Sequence, residues 1–191
     1  MQSIILASQS PRRKQLLEWA EVPFTVVVSD VEESFPSDLS PVDVPVFIAT
    51  KKAKAVQQQQ NGCPIILAAD TIVLLGDHIL GKPVHREEAV SMLLALSGST
   101  HRVITGVVIL QGEKEFSFHD ITEVAFHSLT IDQIEFYVDR YKPFDKAGSY
   151  AIQGMGGVFV ESIKGSFSGV VGLPLFETAQ LLSEQGIELF K

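Results

Sequence analysis

Ser3-Ile-Ile-Leu-Ala-Ser-Gln-Ser-Pro-Arg-Arg-Lys-Gln-Leu-Leu-Glu-Trp-Ala20 is the stretch that decides how the rest of this chain is read. Ile4, Ile5, Leu6 and Ala7 form a short apolar run, the pattern of a strand covered on both faces. Pro11 suits the first turn of a helix, and Ser10 stands where an N-cap hydroxyl would accept one of that turn's free amides. Leu16, Leu17 and Ala20 then give the helix an apolar stripe. Arg12 and Arg13 are the anomaly. Cations in a first turn oppose the helix dipole by roughly 0.3–1 kcal/mol each. A docked anion reverses that sign, because free amides, the Ser8 and Ser10 hydroxyls and two guanidinium groups would converge on it. The plainer alternative is a pair of solvated arginines. Position, capping and charge together favour a phosphate site.

The 191 residues suffice for one domain with a substantial core, or for one domain folded as two lobes. Hydrophobic residues make up 46%, with no low-complexity tract, so a folded globule is expected. No apolar run approaches the roughly 18 residues of a membrane span, and no basic stretch leads into a signal-type apolar core. Cys63 is the single cysteine, which excludes an internal disulfide and fits a reducing cytoplasm. A net charge of −8 argues against a nucleic-acid polymer as partner, yet leaves room for a small anion in a locally basic cleft. The five histidines lack ligand spacing, so no histidine metal site is expected.

Along the chain, Phe24-Thr-Val-Val-Val28 reads as a strand running into the acidic stretch Ser29-Asp-Val-Glu-Glu-Ser34. Such a run is a solvated loop by default, but α/β ligand sites gather at strand ends. A helix over about 44–56 puts Val44, Ile48 and Ala55 on one face, with Ser40 or Asp43 as its cap. Lys51 falls near the middle of that stripe and Lys52 beside its edge. Spacing leaves two readings level: lysines snorkelling to water, or a lysine turned to phosphate. Residues 64–75 are the most apolar segment and read as a central strand, followed by a Gly76-Asp77 hairpin turn. Asp70 lies in the middle of that run, where an ionised carboxylate is costly unless it is paired or holds a metal. It is the strongest single candidate for function.

Gly81-Lys82-Pro83 projects a lysine from a constrained turn, and Arg86–Leu96 is an amphipathic helix with Ala89, Met92, Leu93 and Leu96 on its stripe, stopping at Gly98. Strands over 102–110 and 115–126 follow. Thr130-Ile-Asp-Gln133 is a capping box for a helix reaching Tyr141. Residues 143–154 suit either a ligand-approaching loop or a plain connection. Residues 156–164 read as a further hairpin strand, and Gly172-Leu-Pro174 opens a last helix with Leu175, Ala179 and Leu182 inward. With no repeat or linker, residues 1–191 are expected to form one α/β domain around a mixed sheet.

Several short motifs, taken in order, resemble those of the Maf family of nucleoside triphosphate pyrophosphatases. They are Ser8-x-Ser10-Pro11-Arg12-Arg13, Asp30-Val-Glu-Glu33, Ile48-Ala49-x-x-Lys52-Ala53, Ala69-Asp70-Thr71, Gly81-Lys82-Pro83 and Leu96-Ser97-Gly98. The series closes with Asp145-Lys146-Ala147-Gly148-x-Tyr150-x-Ile152-Gln153-Gly154 and Gly172-Leu173-Pro174. One departure is Pro45, which falls where the Lys52 helix should begin. The resemblance implies an inosine-triphosphatase-like fold: a twisted mixed sheet flanked by helices, with two lobes around a cleft. It implies hydrolysis of a nucleoside triphosphate to monophosphate and pyrophosphate with a divalent cation, Mg²⁺ or Mn²⁺, and homodimers as the usual assembly. Residues 145–154 look like those of the subgroup acting on dTTP and UTP rather than on 7-methyl-GTP.

Water attack on the α-phosphorus needs a base or metal to activate the water and cations to absorb charge on the leaving pyrophosphate. Asp70 is expected to activate water, directly or through a metal shared with Glu33. Arg12, Arg13, Lys52 and Lys82 are expected to clamp the triphosphate, Ser8 and Ser10 to complete the cradle, and Thr71 and Gln153 to read the base. Two other classes compete: a nucleotide sensor without turnover, which gains nothing from Asp70 and Glu33, and a kinase or nucleotidyltransferase, for which no P-loop is present.

Overall fold

The computed structural model describes residues 3–28 and 30–187. Among these, a seven-stranded sheet has the order β2-β1-β3-β5-β6-β7, with β4 beside β3. Its strands are β1 Ile4–Leu6, β2 Phe24–Val26, β3 Ile65–Leu75, β4 His78–Leu80, β5 Thr100–Gln111, β6 Lys114–Phe126 and β7 Val160–Lys164. The helices are α1 Pro11–Trp19, α2 Val44–Gln57, α3 Arg86–Leu96, α4 Ile131–Tyr141, α5 Phe167–Val171 and α6 Leu175–Glu184. β1 pairs in parallel with β2 (Ile4 opposite Phe24) and with β3 (Ile5 opposite Ile66), while β3–β4 and β6–β7 are antiparallel. The sheet is therefore mixed, as expected.

By density of contacts the chain divides into two compact units. The first holds the segment ending at Asp70, Thr105–Asp120 and the segment from Gly172 onward; the second holds Thr71–Ile104 and Ile121–Val171. In the first unit β1 is flanked by strands on both edges and buried along its length, which is why it is purely aliphatic. Its core joins Ile5, Ala7, Ile66, Ala68, Val108 and Leu110 to Ala49, Ala53 and Val56 of α2. The inward face of α2 is thus Val44, Ile48, Ala49, Ala53 and Val56, and not Ala55, which is only half-buried. Pro45 lies in the first turn, where its missing N–H costs nothing, so the departure from the family pattern leaves the helix entry intact. Gly106 on β5 leaves room for the first turn of α2: a Cβ there would stand 2.3 Å from the Val46 nitrogen.

In the second unit α3 has the expected bounds, and Gly98 follows its C-cap with φ +65°, a conformation glycine adopts without steric cost. Thr130 and Gln133 form the reciprocal capping box at α4. The strand expected over 156–164 forms only as β7 from Val160, and Gly154–Phe159 ahead of it is a 3-10 helix. The coil turns tightly enough to require glycine, because a Cβ at Gly156 would lie 2.1 Å from the Ala151 carbonyl oxygen. In α6 Thr178 and Leu182 face inward, while Leu175 and Ala179 are half-buried. No helix among the described residues is long and apolar enough to cross a membrane.

Candidate active site

The turn between β1 and α1 differs from expectation in which serine does the work. Ser10 occupies the N-cap with φ −67° and ψ 116°, but its side chain makes no capping bond. Ser8 substitutes: its Oγ accepts the Ser10 N–H at 3.2 Å and a bond from Arg13 Nη1 at 3.3 Å. Arg13 is 8% exposed, and its Nε donates to the Gly172 carbonyl at 2.7 Å. The two arginines therefore part company. Arg13 points into the first unit and ties α1 to the segment entering α6, whereas Arg12 is half-buried at the surface of the turn. Nothing in the sequence marked the Gly172 carbonyl as a partner, since 159 residues separate it from Arg13.

The consecutive lysines on α2 make different contacts within the protein. Lys51 Nζ donates to the Glu32 carbonyl at 2.7 Å and to the Ser34 carbonyl at 3.0 Å, so it straps the acidic loop on either side of Glu33. Lys52 Nζ lies 2.7 Å from Glu33 Oε1 and 2.7 Å from Asp70 Oδ1, with side-chain exposures of 14% for Lys52, 45% for Glu33 and 12% for Asp70. One ammonium thus gathers two carboxylates from a loop and a central strand. Ser29, the first residue of the acidic stretch, lies outside the described residues.

Asp70 is 8% exposed on β3. Burial pushes its carboxyl above the usual carboxylate range. Lys52 and Arg13 restrain that rise, and Glu33 adds to it. Desolvation on a central strand thus outweighs the pull of the two cations, and the net shift is upward. A carboxylate with a raised pKa is a stronger base toward water than an exposed one. Arg13 responds in the opposite sense: burial lowers its pKa, the Asp70 and Glu33 charges support its charged form, and Arg12 opposes it.

Ser8, Arg12, Arg13, Glu33, Lys52 and Asp70 all belong to the first unit, whereas Thr71, Lys82 and Gln153 belong to the second. Thr71 is half-buried on β3, Lys82 is exposed beyond β4, and Gln153 immediately precedes the 3-10 helix. The segment before Gln153 is anchored by groups that sequence reading did not single out. His101 Nε2 lies 2.7 Å from the Tyr150 hydroxyl, the Ala151 N–H donates to the Tyr137 hydroxyl at 3.3 Å, and the Gly148 N–H donates to the Gly81 carbonyl at 3.1 Å. His101 gave no such signal as Asp70 did, because it stands between Thr100 and Arg102, just ahead of the strand read from residue 102.

A family model described as Maf-like protein matches residues 3–185. A dTTP/UTP pyrophosphatase of Bacillus cereus (strain ATCC 14579) is 50% identical over 189 residues, covering 99% of this chain and 98% of that protein. A dTTP/UTP pyrophosphatase of Bacillus mycoides (strain KBAB4) is 49% identical over 184 residues, covering 96% of each. Among solved structures, a HAM1 protein from Coxiella burnetii aligns with a TM-score of 0.57 at 16% identity, covering 96% of this chain and 100% of that one, a likeness of fold. With the family model and these relatives each spanning nearly the whole chain, the protein belongs to the Maf family.

Proposed function

We propose that this protein hydrolyses nucleoside triphosphates, dTTP and UTP in particular, to the monophosphate and pyrophosphate, working in the cytoplasm. The observation that carries the reading is the Lys52 ammonium 2.7 Å from both Glu33 and Asp70, beside a helix entry that bears Ser8, Arg12 and Arg13. The 50% identity to a dTTP/UTP pyrophosphatase supports the substrate class.

In this reading Asp70 accepts the proton of the attacking water, a role that its raised pKa favours. Lys52 holds Asp70 and Glu33 in register and turns positive charge toward the phosphates. Arg12 and Lys82 bind triphosphate oxygens, and Ser8, Ser10 and the amides that follow them shape the cradle. Arg13 acts from behind, fixing Ser8 and supporting the charge balance at Asp70. Thr71 and Gln153 read the base, and an amide mismatched to the wrong base leaves a buried polar group unpaired.

No group of three or more His, Cys, Asp or Glu suited to a metal occurs among the described residues. Glu33 and Asp70 nevertheless fit Mg²⁺ or Mn²⁺, because their oxygens already converge on one cationic position and such ions use one or two carboxylates with substrate phosphates completing the shell. When bound, the ion would supply Lewis-acid stabilisation of phosphate oxygens.

The test is product analysis: UTP with Mg²⁺, with and without excess chelator. UMP plus pyrophosphate, abolished by chelation and restored by metal, supports the proposal. UDP plus phosphate, or binding without products, contradicts it.

A further inference from the structure

The second unit buries an imidazole that phosphate chemistry does not use. His101, on β5, is 1% exposed, and its Nδ1 has no hydrogen-bond partner among the described residues. Its ring stands edge-on to Phe126 at 4.9 Å and to Tyr150 at 5.5 Å. An aliphatic or phenyl side chain would fill that space without burying a polar atom, so the imidazole needs a reason. What it gains is the 2.7 Å bond from Nε2 to the Tyr150 hydroxyl. Burial holds the imidazole neutral, with a pKa pushed down to about 4, and keeps the Tyr150 hydroxyl protonated, so both partners are uncharged.

That bond acts on a segment whose backbone is under strain. Ser149 has φ +63°, in the region that favours glycine, and it is fully buried. Gly148, at φ +66°, has no room for a side chain, since a Cβ there would come within 3.0 Å of Val73. A strained backbone persists only when its surroundings over-determine it. The surroundings here are His101 on Tyr150, Tyr137 on Ala151 and Gly81 on Gly148, all within six residues of Gln153.

We propose that His101 is a positioning residue for base selection: by holding the Tyr150 hydroxyl it fixes the course of residues 150–153, and with it the place of the Gln153 amide. The inference rests on the reading of Gln153 as the group that meets the base. His101 touches no substrate in this account, and its influence passes through Tyr150.

The experiment compares kcat and KM for UTP and GTP in the parent, Tyr150→Phe, His101→Phe and Gln153→Ala, with each single change also placed in the Gln153→Ala background. Tyr150→Phe removes one oxygen and keeps the ring, so it remains informative if His101→Phe folds poorly. The expected result is a UTP-to-GTP ratio of kcat/KM narrowed about 5- to 10-fold in Tyr150→Phe and His101→Phe. The change should lie mainly in KM for UTP, with kcat within about twofold, because the phosphate-binding groups are untouched. In the Gln153→Ala background neither substitution should narrow the ratio further. A parental ratio in folded Tyr150→Phe, alongside a narrowed one in Gln153→Ala, overturns the role of His101 alone. A parental ratio in Gln153→Ala overturns the base-reading assignment and this inference with it. Additive narrowing in the double variants also overturns the inference, since the effect would then bypass Gln153.

Discussion

Replacing Lys52 with Met removes the ammonium and keeps most of the aliphatic stem. Two carboxylates lose a partner at 2.7 Å, one of them with only 12% of its side chain exposed. Removing one partner of a buried ion pair costs about 3–5 kcal/mol, because a charge is left behind. Glu33 is nearly half exposed and water takes over much of its stabilisation, so the larger share of the loss falls on Asp70. Asp70 limits the damage by taking up a proton, which its raised pKa already favours. A net loss of about 2–4 kcal/mol is expected near neutral pH, or roughly 4–16 °C in Tm for a chain of this size. The pH dependence carries the sign. A folded-state pKa above the unfolded value means that the native state binds more protons, so Asp70's contribution is fully favourable below the unfolded pKa and is lost as pH rises through the folded one. Without Lys52 that decline should steepen. Thermal melts from about pH 4 to pH 8, with Lys52→Met/Asp70→Asn alongside, are the assay. The double variant should recover most of the stability and none of the activity. A Lys52→Met protein with parental Tm across that range would refute the idea that Lys52 neutralises a buried charge.

The arginines should separate cleanly. Arg12→Ala is expected to lower kcat/KM for UTP about 10- to 150-fold with Tm unchanged, whereas Arg13→Met, which strands the Gly172 carbonyl and removes one of the bonds to the Ser8 hydroxyl, should cost about 1.5–3 kcal/mol of stability by denaturant melts. Buried His101 predicts an acid effect of opposite sign to that of Asp70. Its pKa falls from 6.5 to about 4, so its neutral-state contribution is complete above 6.5 and is lost as pH drops toward about 4, by about 3 kcal/mol at roughly 1.36 kcal/mol per pH unit. Unfolding free energies measured over that window should fall in the parent and much less in His101→Phe.

Local signals carried most of the fold. The β1–α1 unit, the bounds of α3 and the capping box of α4 depend on neighbours within a few residues, and all three were legible. Asp70 was legible because a carboxylate inside an apolar run contradicts its surroundings. What escaped depends on distant contacts. Residues 156–159 were the exception: they read as strand, yet a local coil that brings Gly156 against Ala151 delays the strand to Val160. Ser8 displaced Ser10 as the working hydroxyl because Arg13 reaches it on its way to Gly172. Periodicity put Lys51 nearer the middle of the apolar stripe than Lys52 but said nothing of their partners, and only the course of the acidic loop separates the strap from the charge clamp. The short α5, Phe167–Val171, is capped by Ser166, whose Oγ accepts the Gly169 N–H at 3.0 Å, but five residues are too few to show a periodic stripe.

The central claim is that Asp70 serves chemistry more than binding, and Asp70→Asn tests it most directly. Asn keeps the size and a hydrogen-bonding oxygen toward Lys52 and removes the negative charge. Calorimetric UTP binding and pyrophosphate release should be measured on the same preparation. The account predicts binding as tight as in the parent or tighter, since a repulsion against the triphosphate is gone, with kcat reduced by about 10²- to 10⁴-fold, the range for loss of a general base. Activity within a few-fold of the parent, with binding intact, would contradict it and leave Asp70 as the structural partner of Lys52.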